Sequence, residues 1–222
     1  MHSTRDIPAP HIMDGEAMAS KTDEHPEAAL LEHCCYCFEA LLSHFNGCQA
    51  PLPTFEDAEY PLFVTWTVSK NDQLRGCIGN FSPMPLHSGL KEYALTSALQ
   101  DTRFSPIQRS DLAHLTCGVS LLINFENGAN WQDWKIGKHG IRIAFEDENG
   151  RKRSATYLPE VAEEQGWDHI QAIDSLLRKG GYRGTITPKV RESIILTRYQ
   201  SSKKRASYDQ YVQHKNRTSS GH

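Results

Sequence analysis

The sequence predicts an α+β fold, with helices packed on a sheet whose pairings are antiparallel or mixed. Three observations carry this. Helical and strand patterns alternate irregularly along the 222 residues. At least two pairs of strand-like runs lie close enough in sequence to be hairpins. No repeated strand–helix–strand unit with a glycine-rich nucleotide loop is present, as a parallel nucleotide-binding sheet would show. The length fits one domain with tails, or two small, intimately packed subdomains.

Residues 1–25 mix Pro, Gly, Ser, His and charge with almost no apolar clustering, which predicts a disordered leader. From Pro26 to Phe45 the residues Leu31, Cys34, Phe38, Leu41 and Phe45 recur at helical spacing, and Asn46-Gly47 supplies the stop. Leu62–Val68 is apolar and β-branched, and the polar Ser69-Lys70-Asn71-Asp72 turns it into a second strand ending near Phe81. Pro83 and Pro85 lack N–H groups, so the ladder should stop before them. A helix is expected from Leu86 to Leu99, burying Leu86, Leu90, Ala94 and Ser97 or Ala98.

Cys117–Phe125 then reads as a central strand, broken by Asn124 near its end. Trp131 and Trp134 stand three apart and suggest a helical turn over the core. Gly140–Phe145 and Lys152–Tyr157 flank Asn149-Gly150, the strongest short hairpin signal. Pro159 opens a short helix, and Asp168 caps another to Lys179 with Ile170, Ile173, Leu176 and Leu177 on its inner face. Ser193–Tyr199 is the last strand, so the folded domain spans 26–200. The polar tail over 201–222 is expected to be flexible, apart from any helical turn docked by Tyr208 and Tyr211.

Net charge is −3 and the pI about 6.4, so the chain lacks the basic bias of a nucleic-acid-binding protein, although a local basic patch stays open. No apolar run approaches the roughly 18 residues of a membrane helix, and no signal peptide is evident. The expectation is an intracellular protein, cytoplasmic and/or nuclear, without a membrane partner and with its six cysteines reduced. Cys34 and Cys37 have C-x-x-C spacing, but no second ligand pair completes a metal site, and Cys34 falls on the apolar stripe of the first helix, where a free cysteine packs as a small hydrophobe. P-loop, H-E-x-x-H, G-x-S-x-G and EF-hand motifs are absent, so neither a metal nor another cofactor is expected.

The chain is organised around Gln73-Leu74-Arg75-Gly76-Cys77-Ile78-Gly79-Asn80-Phe81, one thiol between two glycines with an arginine before the first. Leu74-Arg75-Gly76-Cys77-Ile78-Gly79 resembles the signature hexapeptide of the AMMECR domain family. Further matches follow in order, among them Tyr60–Trp66, His139–Ile143, Ala155–Ala162, Asp174–Gly181 and Leu196–Tyr199. They cover about residues 28–200 and look like the eukaryotic branch; Asn80 stands where Thr is expected. The resemblance implies a compact α+β body with a smaller subdomain, grouped with the RAGNYA folds, whose members bind nucleic acids, nucleotides or peptides. It also implies an association with Memo-type proteins and radical-SAM-type enzymes, and it fixes the fold more firmly than the reaction.

Two functional classes follow. In the first, Arg75, Gly76, Cys77 and Gly79, with Arg103, form the binding surface of a regulatory module for a peptide, nucleotide-like or nucleic-acid ligand. Arg142, Lys179 and Arg183 would extend its cationic character. In the second, Cys77 is a nucleophile for acyl-transfer or base-modifying chemistry. That role needs a base, from His87, His114 or, as the chosen candidate, His139, and the glycine-flanked amides as an oxyanion site.

Overall fold

The computed structural model describes residues 28–219. The leader expected over 1–25 and the proposed helix start at Pro26 lie outside the described residues.

Helix α1 (Leu31–Phe45) is followed by strands β1 (Glu59–Val68) and β2 (Leu74–Pro85) and helix α2 (Leu86–Leu99). A 3-10 helix over Arg109–His114 leads into β3 (Leu115–Asn127) and the hairpin β4 (Gly140–Glu146) and β5 (Lys152–Tyr157). Helices α3 (Pro159–Glu164), α4 (His169–Lys179) and α5 (Pro188–Glu192), strand β6 (Ile195–Ser207) and helix α6 (Tyr208–Ser219) complete the chain. The strands form one sheet in the order β2-β1-β3-β6-β4-β5, and every pairing is antiparallel. The fold is α+β, with the sheet on the antiparallel side of the expectation.

Two apolar clusters share this sheet. The larger joins α1, α2 and α6 to Val64, Trp66, Cys117, Val119 and Ala206; the smaller joins α4 to Ile141, Ile143, Phe145 and Leu196. Asp168 accepts a hydrogen bond from the Gln171 N–H (2.8 Å) and starts α4 as its spacing predicts. Alternation in β1, β3 and β6 leaves the opposite face open. Register places Cys77, Thr65, Gly118 and Arg205 in one cross-strand row and Gly79, Phe63, Ser120 and Lys203 in the next.

Four local expectations are corrected. Strand β2 continues past Phe81, pairing Tyr60 with Met84 and Glu59 with Pro85. It is a terminal strand of the sheet, where a proline's missing donor faces away from the ladder. The residues expected to form a polar tail instead complete β6 to Ser207 and build α6, with Phe38 and Tyr211 stacked at 5.3 Å. No helix forms at Trp131 and Trp134, where a turn is held by Trp134 Nε1 donating to the Trp131 carbonyl. Ile170 is exposed, and Ala172 takes its place beside Ile173, Leu176 and Leu177. Among the described residues no helix is long and apolar enough to cross a membrane.

Candidate functional site

The two signature glycines are explained by close approach. A Cβ at Gly76 would lie 1.9 Å from the Ser97 carbonyl oxygen, because the last turn of α2 rests on this strand. One at Gly79 would lie 2.2 Å from the Leu62 carbonyl oxygen and 2.5 Å from the Phe63 ring. Neither glycine has a positive φ, so space is the requirement.

Cys77 sits between them with its backbone clasped from outside the sheet. Its N–H donates to Asp101 Oδ2 at 2.9 Å, and its carbonyl accepts from Arg103 Nη2 at 3.1 Å. Arg103 in turn grips Asp101 through Nη2 at 2.7 Å and Nε at 2.9 Å. Asp101 and Arg103 thus stand in for a further strand at this point of the sheet edge. The Arg103 guanidinium, helped by the Cys77 and Arg103 N–H groups, holds the Asp101 carboxyl far below the usual carboxylate range although burial opposes it. Arg75 turns to Asp111 (3.4 Å) and the Ser105 carbonyl (3.5 Å). The amide expected to serve an oxyanion therefore already has an acceptor, and the two arginines expected to bind ligand each hold a carboxylate.

The thiol itself is half-buried on the open face and accepts from Thr65 Oγ1 at 3.2 Å. No candidate base reaches it. His139 Nδ1 accepts from the Lys135 N–H at 3.0 Å, and burial, with Arg198 and Lys138, lowers the imidazole's pKa. It precedes β4, four strand spacings from β2, or roughly 19 Å along the sheet. His87 Nε2 lies 2.7 Å from the Phe55 carbonyl oxygen, and His114 ends the 3-10 helix with its side chain exposed. Lys179 donates to the Thr156 carbonyl at 2.9 Å and covers the Tyr157 ring, away from Cys77. Of the cations named from sequence, Arg75 and Arg103 stand at the glycine loop, each already holding a carboxylate, and Lys179 does not join them.

The structure brings together a different set beside that loop. A cleft of about 770 Å³ opens where β1 begins and β2 and β3 end. Phe81 and Phe125 line it, and both rings pack on the buried Tyr199 (6.4 and 5.0 Å between ring centroids), with Phe63 against the other side of Phe81 at 5.0 Å. Phe81 and Phe125 remain 38% and 46% exposed, unusual for large apolar rings in contact. Arg142 on one side and Glu56 and Glu59 on the other line the same cleft. None of these three makes an ion pair or side-chain hydrogen bond among the described residues. His33 closes the base; its Nδ1 accepts from the Leu30 N–H at 3.1 Å, and burial lowers its pKa to about 4. It is neutral at physiological pH.

Sequence reasoning named Arg142 but missed Asp101, Thr65, Phe81 and Phe125. Asp101-Thr102-Arg103, an acid and a base two apart just after a helix, was the one local signal for the clasp. Cys34 and Cys37 are fully buried with Cys117 in the larger core, and among the described residues no three His, Cys, Asp or Glu are placed to hold a metal ion.

The AMMECR1 family model matches residues 34–204. The chain belongs to the AMMECR1 family. Its AMMECR1-type relatives include the uncharacterized protein At2g38710 of Arabidopsis thaliana, 52% identical over 185 residues, 82% of this chain and 86% of that one. The uncharacterized protein C688.03c of Schizosaccharomyces pombe is 39% identical over 186 residues, 82% of this chain and 94% of that one. The crystal structure of PH0010 from Pyrococcus horikoshii superposes with a TM-score of 0.59 at 21% identity, covering 79% of this chain and 95% of that one. At that identity it speaks for the shared fold alone.

Proposed function

We propose that this AMMECR1-family chain is a peptide-binding, regulatory module whose ligand lies in the aromatic cleft beside the Cys77 strand. The observation that carries the reading is the pair of exposed rings, Phe81 and Phe125, flanked by charges of opposite sign that find no partner among the described residues. Charge decides among peptide, nucleotide-like and nucleic-acid ligands. Two carboxylates face one guanidinium, and His33 is uncharged, so a phosphate-bearing ligand meets net repulsion. An extended peptide with an apolar or aromatic residue between an acidic and a basic one matches both ends.

Selection of displayed peptides on the purified chain tests this. Enriched sequences should share the acidic–aromatic–basic order, and Phe81→Ser/Phe125→Ser should lose them while Cys77→Ser retains them. Enrichment without a common pattern, or retained by the double serine variant, would overturn the reading.

A thiol enzyme is favoured by one observation, the Thr65 hydroxyl aimed at Cys77 Sγ, since a donor of this kind stabilises a thiolate. Iodoacetamide labelling of Cys77 against pH separates the two. The module reading expects labelling no faster than that of the exposed Cys48 at every pH; labelling about tenfold faster at neutral pH would favour the nucleophile.

A further inference from the structure

The Asp174–Gly181 stretch, one of the matches read from sequence, is used by neither the clasp nor the aromatic cleft. Helix α4 ends in it, with Gly181 just past the cap at φ +96°, a conformation that favours glycine. The Gly181 N–H donates to the Arg178 carbonyl and the Tyr182 N–H to the Leu177 carbonyl, both at 3.0 Å. This paired cap turns the chain back beside the helix end. The carbonyls of Tyr182 and Gly184 then both accept from Arg178 Nη1, at 2.9 and 2.8 Å. Arg178 is thereby pinned by neutral groups on either side of Arg183. Neither guanidinium holds a carboxylate among the described residues.

Both arginines line one open pocket of about 530 Å³, together with Thr185 and Asp174. Asp174 does not neutralise them, because Arg191 grips it through two bonds of 2.7 Å. Glu148 accepts from the Arg183 N–H but does not line this pocket. What faces the occupant can donate: the remaining N–H groups of Arg178, the Arg183 guanidinium, and the Thr185 hydroxyl, which has no partner among the described residues. The occupant is therefore an anion rich in acceptors. A phosphate monoester brings a charge of about −1.5 to −2 and three acceptor oxygens, which suits two guanidinium forks and a hydroxyl. A carboxylate or a phosphodiester brings one charge. We infer that this pocket is a subsite for a phosphate monoester, its oxygens accepting from Arg178, Arg183 and Thr185. The inference does not depend on the peptide reading, since the charges of the aromatic cleft repel the same group. A small phosphate ester and a phosphorylated side chain share this chemistry.

The test is protein-detected 15N NMR of the full chain at constant ionic strength and about pH 7.5, where the monoester is dianionic. The probes are glycerol phosphate, dimethyl phosphate, which carries one charge, and phosphothreonine flanked by two glycines. Glycerol phosphate is expected to give saturable shifts at Arg178, Arg183 and Thr185, with dimethyl phosphate at least tenfold weaker. Arg183→Gln removes an exposed side chain and should weaken binding at least tenfold without disturbing resonances elsewhere. Arg178→Lys keeps the charge but loses the fork, and should weaken it as far. Phe81→Ser/Phe125→Ser should bind glycerol phosphate as wild type does, so this subsite and the peptide cleft fail separately. Phosphothreonine binding at least tenfold tighter than glycerol phosphate assigns the source to a modified side chain; any smaller gain assigns it to a small ester. No saturable shift at these residues would overturn the inference. So would equal affinity for dimethyl phosphate, or affinity unchanged in either arginine variant.

Discussion

At the scale of single residues, the signature hexapeptide divides into positions that make the fold and one that leaves a group available. Gly76→Ala drives a Cβ into backbone that cannot step aside, and Gly79→Ala does the same against Leu62 and Phe63. Each should destabilise the protein by about 1–3 kcal/mol or more, as overpacking does. Cys77→Ser keeps the Thr65 partner on a half-buried site and should cost under ~1 kcal/mol. Thermal melts of the three variants check the order; a Cys77→Ser protein less stable than either alanine variant would mean the thiol is there for packing. Glycines this tight were readable as a close approach, but the partner, the Ser97 carbonyl more than twenty positions on, was not. His33 adds a pH prediction. Its pKa falls from about 6.5 unfolded to about 4 folded, so the unfolded chain binds the extra proton between those values. Stability should therefore decline as pH drops from about 6.5 to 4, by at most ~1.4 kcal/mol per pH unit from this group. In His33→Gln the slope over that window should flatten.

At the scale of elements, the Asp101–Arg103 clasp explains how a terminal strand rich in glycine is held. Removing the charge by Asp101→Asn weakens four bonds at once and should cost about 1–3 kcal/mol. Because the folded pKa lies below the unfolded value near ~3.9, the wild-type contribution is full above that pH and is lost as pH falls toward the folded value. Urea melts at pH 7 and pH 3 should show the difference between wild type and Asp101→Asn shrinking at the lower pH; a constant difference would contradict the clasp. Helices were the most legible elements, since Leu31, Cys34, Phe38 and Leu41 repeat at 3.6 residues and Asp168 caps where its type demands. The last strand was legible only in part. Its open face carries Ser201, Lys203 and Arg205, which read as tail until Ala206 and Tyr211 are seen packed beneath. The prolines of β2 misled because a rule for inner strands was applied to a terminal one.

At the scale of the whole molecule, an open sheet face between two cores gathers what no local pattern places together. Phe81, Phe125 and Arg142 line the cleft from β2, β3 and β4, and the Tyr199 ring on which both phenylalanines pack comes from β6, so the cleft exists only once the β2-β1-β3-β6-β4 order is known. The reading of this face as a peptide site turns on the sign and position of the charges that lack a partner among the described residues. Isothermal titration of a peptide selected on the wild-type chain, measured against Arg142→Glu, tests it most directly. Reversing this charge should weaken an acidic-end peptide at least tenfold and restore binding to the same peptide with its acidic residue changed to lysine, with Cys77→Ser behaving as wild type. Affinity unchanged by Arg142→Glu, or lost with Cys77→Ser, would contradict the account.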